Sequence, residues 1–261
     1  MMELTLKIVR AGGEAVCEST GVDNVCLAAE YVYAAGDAVV LSMSEANRYM
    51  VVQVDDAMGA ALVYMTGKTF TYTIPFEEKR ANLSPKAFMG GLHYLRARVA
   101  MDYEIAAYRN LAVNVIDQQE GTCCYPHAYA NVETRGESVF AARNAIDGVV
   151  ENRSHGNWPY ASWGINRNLD AEMTIDFGRE IEADKIVLYT RADFPHDNWW
   201  VRATFTFSNG DEIVFPMEKS ALPHVLAFAP KRFQTVTISK LVQADDPSPF
   251  PALTQMEVYG R

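Results

Sequence analysis

The sequence predicts a mainly β protein, built as two sandwich-like units with one short helix between them. Three observations predict it. Short apolar–polar alternations bounded by turn residues recur along most of the 261 residues, the mark of strands with one buried face. An Asn-Gly pair at Asn209-Gly210 separates two such alternations, the strongest short-range hairpin signal. A single stretch, Tyr94 to Leu111, spaces its apolar residues as a helix would.

In chain order, Leu4, Leu6 and Ile8 alternate with polar residues and read as a first strand. Ala38 to Ser42 follows the turn pair Gly36-Asp37, and Arg48 to Val54 makes another strand. Ala61 to Met65 and Thr69 to Ile74 flank Thr66-Gly67-Lys68, which reads as a hairpin turn. In the second of these, Phe70, Tyr72 and Ile74 share one face and the threonines the other, until Pro75 ends the strand. The helical spacing then predicts a helix within Val99 to Leu111. Asn114 to Thr122 is polar and turn-rich, so the boundary falls near residue 115, giving units 1–114 and 115–261. Beyond it, Met173 to Phe177, Lys185 to Thr190, Arg202 to Phe207, Glu212 to Phe215, Thr235 to Ile238 and Gln255 to Tyr259 read as strands. Many short strands with turn signals between them imply sandwiches.

Composition narrows the function classes. Hydrophobic residues make up 49%, ample for a core, and the formal net charge is −10. That charge disfavours a phosphate backbone or an anionic lipid surface as partner. No stretch reaches transmembrane length without a charge. The first ten residues read as a strand and not as a signal peptide, so an intracellular location is expected, with a removed leader left open. Cys17 and Cys26 have the spacing to pair across a hairpin, but nothing requires it. Cys123 and Cys124 are adjacent, no C-x-x-C spacing for zinc occurs, and structural thiols are expected.

Two loops carry the residue types that bind sugars: aromatic platforms, and planar polar groups that span adjacent hydroxyls. The first is His155 to Tyr160, where Trp158 and Tyr160 offer stacking faces and His155 hydrogen bonds. Trp158 is equally open to a role in the core. The second is Arg191 to Trp200, with Arg191, Asp193, His196, Asp197 and Trp199; its bland alternative is an Arg191 ion pair with Asp193 or Asp197. The two loops are expected to form one wall of a shared site. A third loop, Gln243 to Ala252, holds three prolines and either walls the same site or is a rigid connection. No G-x-S-x-G, H-E-x-x-H, P-loop or dinucleotide fingerprint occurs. The nearest catalytic constellation is His196-Asp197 with His155 and Asp193. The chain is therefore read as a non-enzyme that binds a sugar or glycan. A protein-interaction adaptor and, behind it, a small glycan hydrolase are the alternatives.

Ala145-Ile-Asp-Gly148, Ser162-Trp-Gly164, Asp176-Phe-Gly178, Ser208-Asn-Gly210 and Met256-Glu-Val-Tyr-Gly260 occur in this order. The set resembles a discoidin-like domain, also called factor V/VIII type C or galactose-binding-like, as found in bacterial carbohydrate-binding modules. It covers about Tyr125 to Gly260. The resemblance implies a β-sandwich that binds sugars without chemistry and packs Trp163 in its core. It also implies a structural calcium held by Asp147, Asn152 and Glu257, with Ser154 as a further candidate. Val149 departs from the pattern, where many relatives carry a second acidic or amide residue. Without a metal, Asp147 caps a turn and Gly148 takes a positive φ. The first half is similar to accessory jelly-roll modules of bacterial glycan-related proteins at the level of fold.

Overall fold

The structure, a computed structural model, describes residues 1–192 and 198–261. Its first unit is a sandwich of two antiparallel sheets. β1 (Glu3–Val9), β2 (Ala15–Val22), β4 (Ala38–Met43) and β7 (Thr69–Thr73) form one, in the order β2-β1-β4-β7. The other takes β3 (Asn24–Glu30), β5 (Arg48–Gln53), β6 (Ala61–Met65), β8 (Leu92–Val99) and β10 (Cys124–Tyr125), in the order β10-β6-β5-β8-β3. Alternation sets the inner faces. Leu4, Leu6, Ile8, Leu41 and Phe70 meet Met50, Val52, Val63, Met65 and Leu95 in one core.

Two sequence expectations need correction here. Thr66-Gly67-Lys68 is not a hairpin: β6 pairs with β5 and β10, whereas β7 pairs with β4 in the opposite sheet. The buried residues of both strands face the same core, and arching over the end of the sandwich lets them meet across it. The helical spacing from Tyr94 is also misleading over its first turns. His93, Leu95 and Ala97 are buried while Leu92, Tyr94 and Arg96 are exposed, the two-residue period of β8. The helix itself, α1 (Asp102–Ala106), lies within the expected Val99 to Leu111.

The second unit is held by two long strands, β13 (Met173–Thr190) and β16 (His224–Gln243). Their register shifts between Asp176 and Ile181 and again between Ala183 and Lys185, so one ladder folds over a common core. Gly178 sits at the first shift with φ +66°, and a Cβ there would come within 2.5 Å of the Tyr125 ring, so only glycine fits. Along this ladder lie β9 (Arg109–Asn110), β11 (His127–Ala130), β12 (Trp163–Gly164), β14 (Trp200–Phe207), β15 (Glu212–Pro216) and β17 (Ala252–Gly260). β14 and β15 form the hairpin expected around Asn209-Gly210, with Thr206 opposite Glu212. Trp163, Phe177, Trp200, Phe205, Phe207 and Phe233 fill the core.

The chain between the units weaves through both. β9 pairs with β17, and Leu111 and Ala112 are buried in the second core. Ile116 and Cys124 are buried in the first, and β11 returns to the second. Side chains lock the crossing. Asn114 Nδ2 donates to the Pro126 carbonyl at 2.8 Å, and Asn82 Nδ2 donates to Asn144 Oδ1 at 2.8 Å. The Arg179 guanidinium sits over the rings of Tyr49 (4.5 Å) and Tyr64 (5.3 Å) and donates to the Tyr49 hydroxyl. The four cysteines are free thiols; Cys17 and Cys26 lie on β2 and β3, in different sheets, and the pairing left open between them is not made.

Candidate functional site

At one rim of the second sandwich, loop segments gather around β12, the strand that carries the buried Trp163. Its indole Nε1 donates to the Val132 carbonyl at 2.9 Å and its ring lies 6.4 Å from that of Trp200. The next residue, Gly164, passes so close to Thr134 that a Cβ would lie 2.6 Å from its Oγ1. That hydroxyl accepts the Asn166 N–H at 3.0 Å. Asn166 and Arg167 then take φ +49° and +61°, turning the chain back at the surface. Arg167 places its guanidinium 4.6 Å over the ring of Phe250, on the proline-rich loop.

These segments enclose an open cavity of about 240 Å³ whose lining includes Thr134, His155, Asn166, Arg167, Arg191 and Phe250. His155 is exposed, Phe250 is 46% exposed, and Arg191 is buried at the base of the loop that follows β13. The cavity is small beside the ~300–1,000 Å³ of sites for drug-sized ligands. It joins the rings of Phe140 and Phe250 to imidazole, amide, hydroxyl and guanidinium groups from separate segments. That is the donor and acceptor set that recognises a polyhydroxylated ring.

A second cavity, about 170 Å³, lies between the two units and is lined by Met58, Asn82, Leu83, Arg143, Asp147 and Trp158 among others. Trp158 is 39% exposed, and its backbone N–H donates to the Ala81 carbonyl at 2.8 Å. Arg143 Nη2 donates to the Val115 carbonyl at 3.1 Å. Burial pushes the Asp147 carboxyl up to about 7, against the pull of Arg143 and of the Val149 N–H.

The structure brings His155 and Arg191 to one cavity and turns Trp158 toward the other unit. Tyr160 is half-buried, with its N–H on the Asn157 carbonyl, and lines neither cavity. Trp199 is half-buried under Lys219, whose Nζ lies 4.9 Å from its ring centroid. Asp193, His196 and Asp197 lie outside the described residues. Trp163 packs in the core as expected. Sequence reasoning did not single out Asn166, Arg167 or Phe250. The one available signal was the proline-rich loop, whose sole aromatic is Phe250.

The residues expected to hold calcium do not fit that ion. Asp147 Oδ1 accepts the Val149 N–H at 2.8 Å, and Gly148 takes φ +84°, the capped turn that needs no metal. Asn152 is held by its Nδ2, which donates to the carbonyls of Thr190 and Ala221, both at 2.7 Å, so only its Oδ1 is left to meet an ion. The strand residue that meets the first loop is Gln255, whose Oε1 accepts the Gly148 N–H at 3.2 Å. Glu257 lies two residues further along β17, bonded to the Tyr259 hydroxyl and drawn electrostatically toward Lys185. The loop offers one carboxylate beside an arginine, whereas calcium takes about six to eight oxygens.

No protein-family model matches the chain, and no curated protein matches it. Solved structures do. A family 32 carbohydrate-binding module of NanJ from C. perfringens, in complex with galactose, is 20% identical with a TM-score of 0.39, over 51% of this chain and 91% of that one. Chitosan-binding module 1 of a chitosanase/glucanase from Paenibacillus sp. IK-5 is 17% identical with a TM-score of 0.41, over 58% and 99% of the two chains. The lectin domain of lectinolysin, complexed with Lewis B antigen, is 17% identical with a TM-score of 0.43, over 59% and 97%.

Proposed function

We propose that this protein is a non-catalytic sugar-binding protein whose second sandwich takes a sugar in the rim cavity beside Phe250. The observation that carries the reading is the convergence of His155, Asn166, Arg191 and Phe250 on one cavity of about 240 Å³. Phe250, 46% exposed, supplies a stacking face on the side of its ring away from Arg167. His155, Asn166 and Arg191 supply donors and an acceptor for adjacent hydroxyls. The chain is acidic overall, at −10, but this cavity is lined by Arg135, Arg167 and Arg191 and, among the described residues, by no carboxylate, so neutral and acidic sugars are screened together. Each well-placed hydrogen bond is worth only about 1 kcal/mol net, so single-site affinity belongs in the range of roughly micromolar to millimolar.

The test is a glycan-array screen followed by titration of the best ligand into wild-type, Phe250→Ala, His155→Ala and Trp158→Ala proteins. The first two substitutions should weaken binding about tenfold or more without changing the far-UV spectrum. Trp158→Ala should leave affinity intact. The opposite pattern would move the ligand to the cavity between the units and sink the proposal.

A further inference from the structure

Two buried His–Asp pairs occur among the described residues, and they differ in a telling way. His127 Nδ1 lies 2.8 Å from Asp117 Oδ1, and the other oxygen of Asp117 accepts the Ala128 N–H at 2.9 Å. That pair is closed, with both carboxylate oxygens engaged. In the first sandwich, His93 Nδ1 lies 3.3 Å from Asp55 Oδ2. This is longer than the ~2.7–2.9 Å of a charge-assisted hydrogen bond. Asp55 Oδ2 has no hydrogen-bond partner, nor has His93 Nε2, nor the hydroxyl of Tyr33, whose ring lies 4.4 Å from that of His93. Asp55 is 1% exposed, His93 2% and Tyr33 6%. Leaving polar atoms orphaned at such depth is costly, and here three occur together.

The placement follows from the strands. His93 is on the inward face of β8, opposite Ala29 of β3. Asp55 and Asp56 lie just past the end of β5, which pairs with β8. Asp56, exposed, accepts the Tyr94 N–H at 3.4 Å, so its carboxylate hangs at the edge of the same strand. One ligand atom from each of Asp55, Asp56 and His93 fits within 4.8 Å of the other two.

We propose that Asp55, Asp56 and His93 bind a divalent transition-metal ion of the zinc class. Zinc held at about 2.0–2.1 Å in a tetrahedron separates its ligand atoms by roughly 3.3 Å. The 3.3 Å between His93 Nδ1 and Asp55 Oδ2 matches that separation, with Nδ1 as the histidine's ligand atom. One imidazole with two carboxylates suits zinc better than calcium, which takes oxygen alone. Asp56 provides the entry from solvent, and the ion staples the loop after β5 to β8. This site is in the first sandwich, separate from the sugar cavity.

The full-length protein, stripped with chelator, should be titrated with Zn²⁺ alone by calorimetry and with Co²⁺ followed by its visible d–d absorption. One equivalent is expected, with a tetrahedral cobalt spectrum. His93→Gln should weaken binding about a hundredfold and Asp56→Asn about tenfold, while His224→Gln, an unrelated histidine, should change nothing. If His93→Gln does not fold, Asp56→Asn still decides, because an exposed residue does not carry the fold. Failure of the wild type to take up one equivalent would mean that water fills the gap, and would overturn the proposal. Uptake that both variants retain would place the metal elsewhere, on the thiols or on the closed pair, and would overturn it equally.

Discussion

The buried carboxyl of Asp147 makes stability depend on pH in a direction opposite to that of ordinary paired carboxylates. In the unfolded chain the group titrates near its usual 3.8, and burial raises it to about 7 in the folded protein. Between those values the folded state binds more protons than the unfolded one, so stability falls as pH rises. The contribution is fully present below about pH 3.8 and is lost as pH climbs through about 7. At ~1.36 kcal/mol per pH unit, the whole window amounts to at most about 4 kcal/mol.

Asp147→Asn isolates this effect. The amide keeps an Oδ1 to accept the Val149 N–H, a bond of 2.8 Å in the native turn, but it does not ionise. Urea unfolding of both proteins, followed by tryptophan fluorescence and circular dichroism from pH 4 to 8, gives the stability difference at each pH. The variant should match the wild type near pH 4 and exceed it by about 1–4 kcal/mol at pH 8. Arg143→Met should steepen the wild-type profile, because Arg143 pulls the Asp147 carboxyl down. A difference between wild type and Asp147→Asn that does not vary with pH would refute the reasoning, since no other group is changed.

Three further outcomes are expected. Arg179→Ala removes the guanidinium seated on Tyr49 and Tyr64 and should destabilise the protein by about 1–3 kcal/mol, with Tyr49→Phe costing less because the ring stays; equal losses in urea titrations would contradict the stacking account. Limited proteolysis should release no stable fragment beginning near residue 115, because β9 pairs with β17 and Leu111 and Ala112 are buried in the second core; a folded 115–261 fragment would show that this strand is dispensable. Millimolar calcium added after chelation should leave the melting temperature unchanged, and a clear rise would restore the ion to the Asp147 loop.

The parts of this molecule that were legible in its sequence are those in which a local period or a turn rule decides the outcome. Leu4, Leu6 and Ile8 alternate because one face of β1 is buried, and Asn209-Gly210 closes a hairpin by its own backbone preference. Period alone does not say which sheet a strand joins. Thr66-Gly67-Lys68 therefore looked like a hairpin although it crosses the sandwich, and the boundary near residue 115 looked like a linker although both cores claim residues around it.

The site divides along the same line. Loop composition pointed to His155 and Arg191, which share a cavity. Trp158, three residues beyond His155, faces the other way, because an irregular loop has no period to orient its side chains. The expected calcium set fails for a related reason. Gln255 and Glu257 share one face of β17, but residues two apart on a strand are separated by about 6.6 Å, and the Asp147 loop crosses at Gln255. Which of two like-facing residues meets a distant loop is fixed by how the sandwich closes. The buried Asp55–His93 pair was invisible for the same reason: the residues are far apart in sequence, and only the pairing of β5 with β8 sets them side by side.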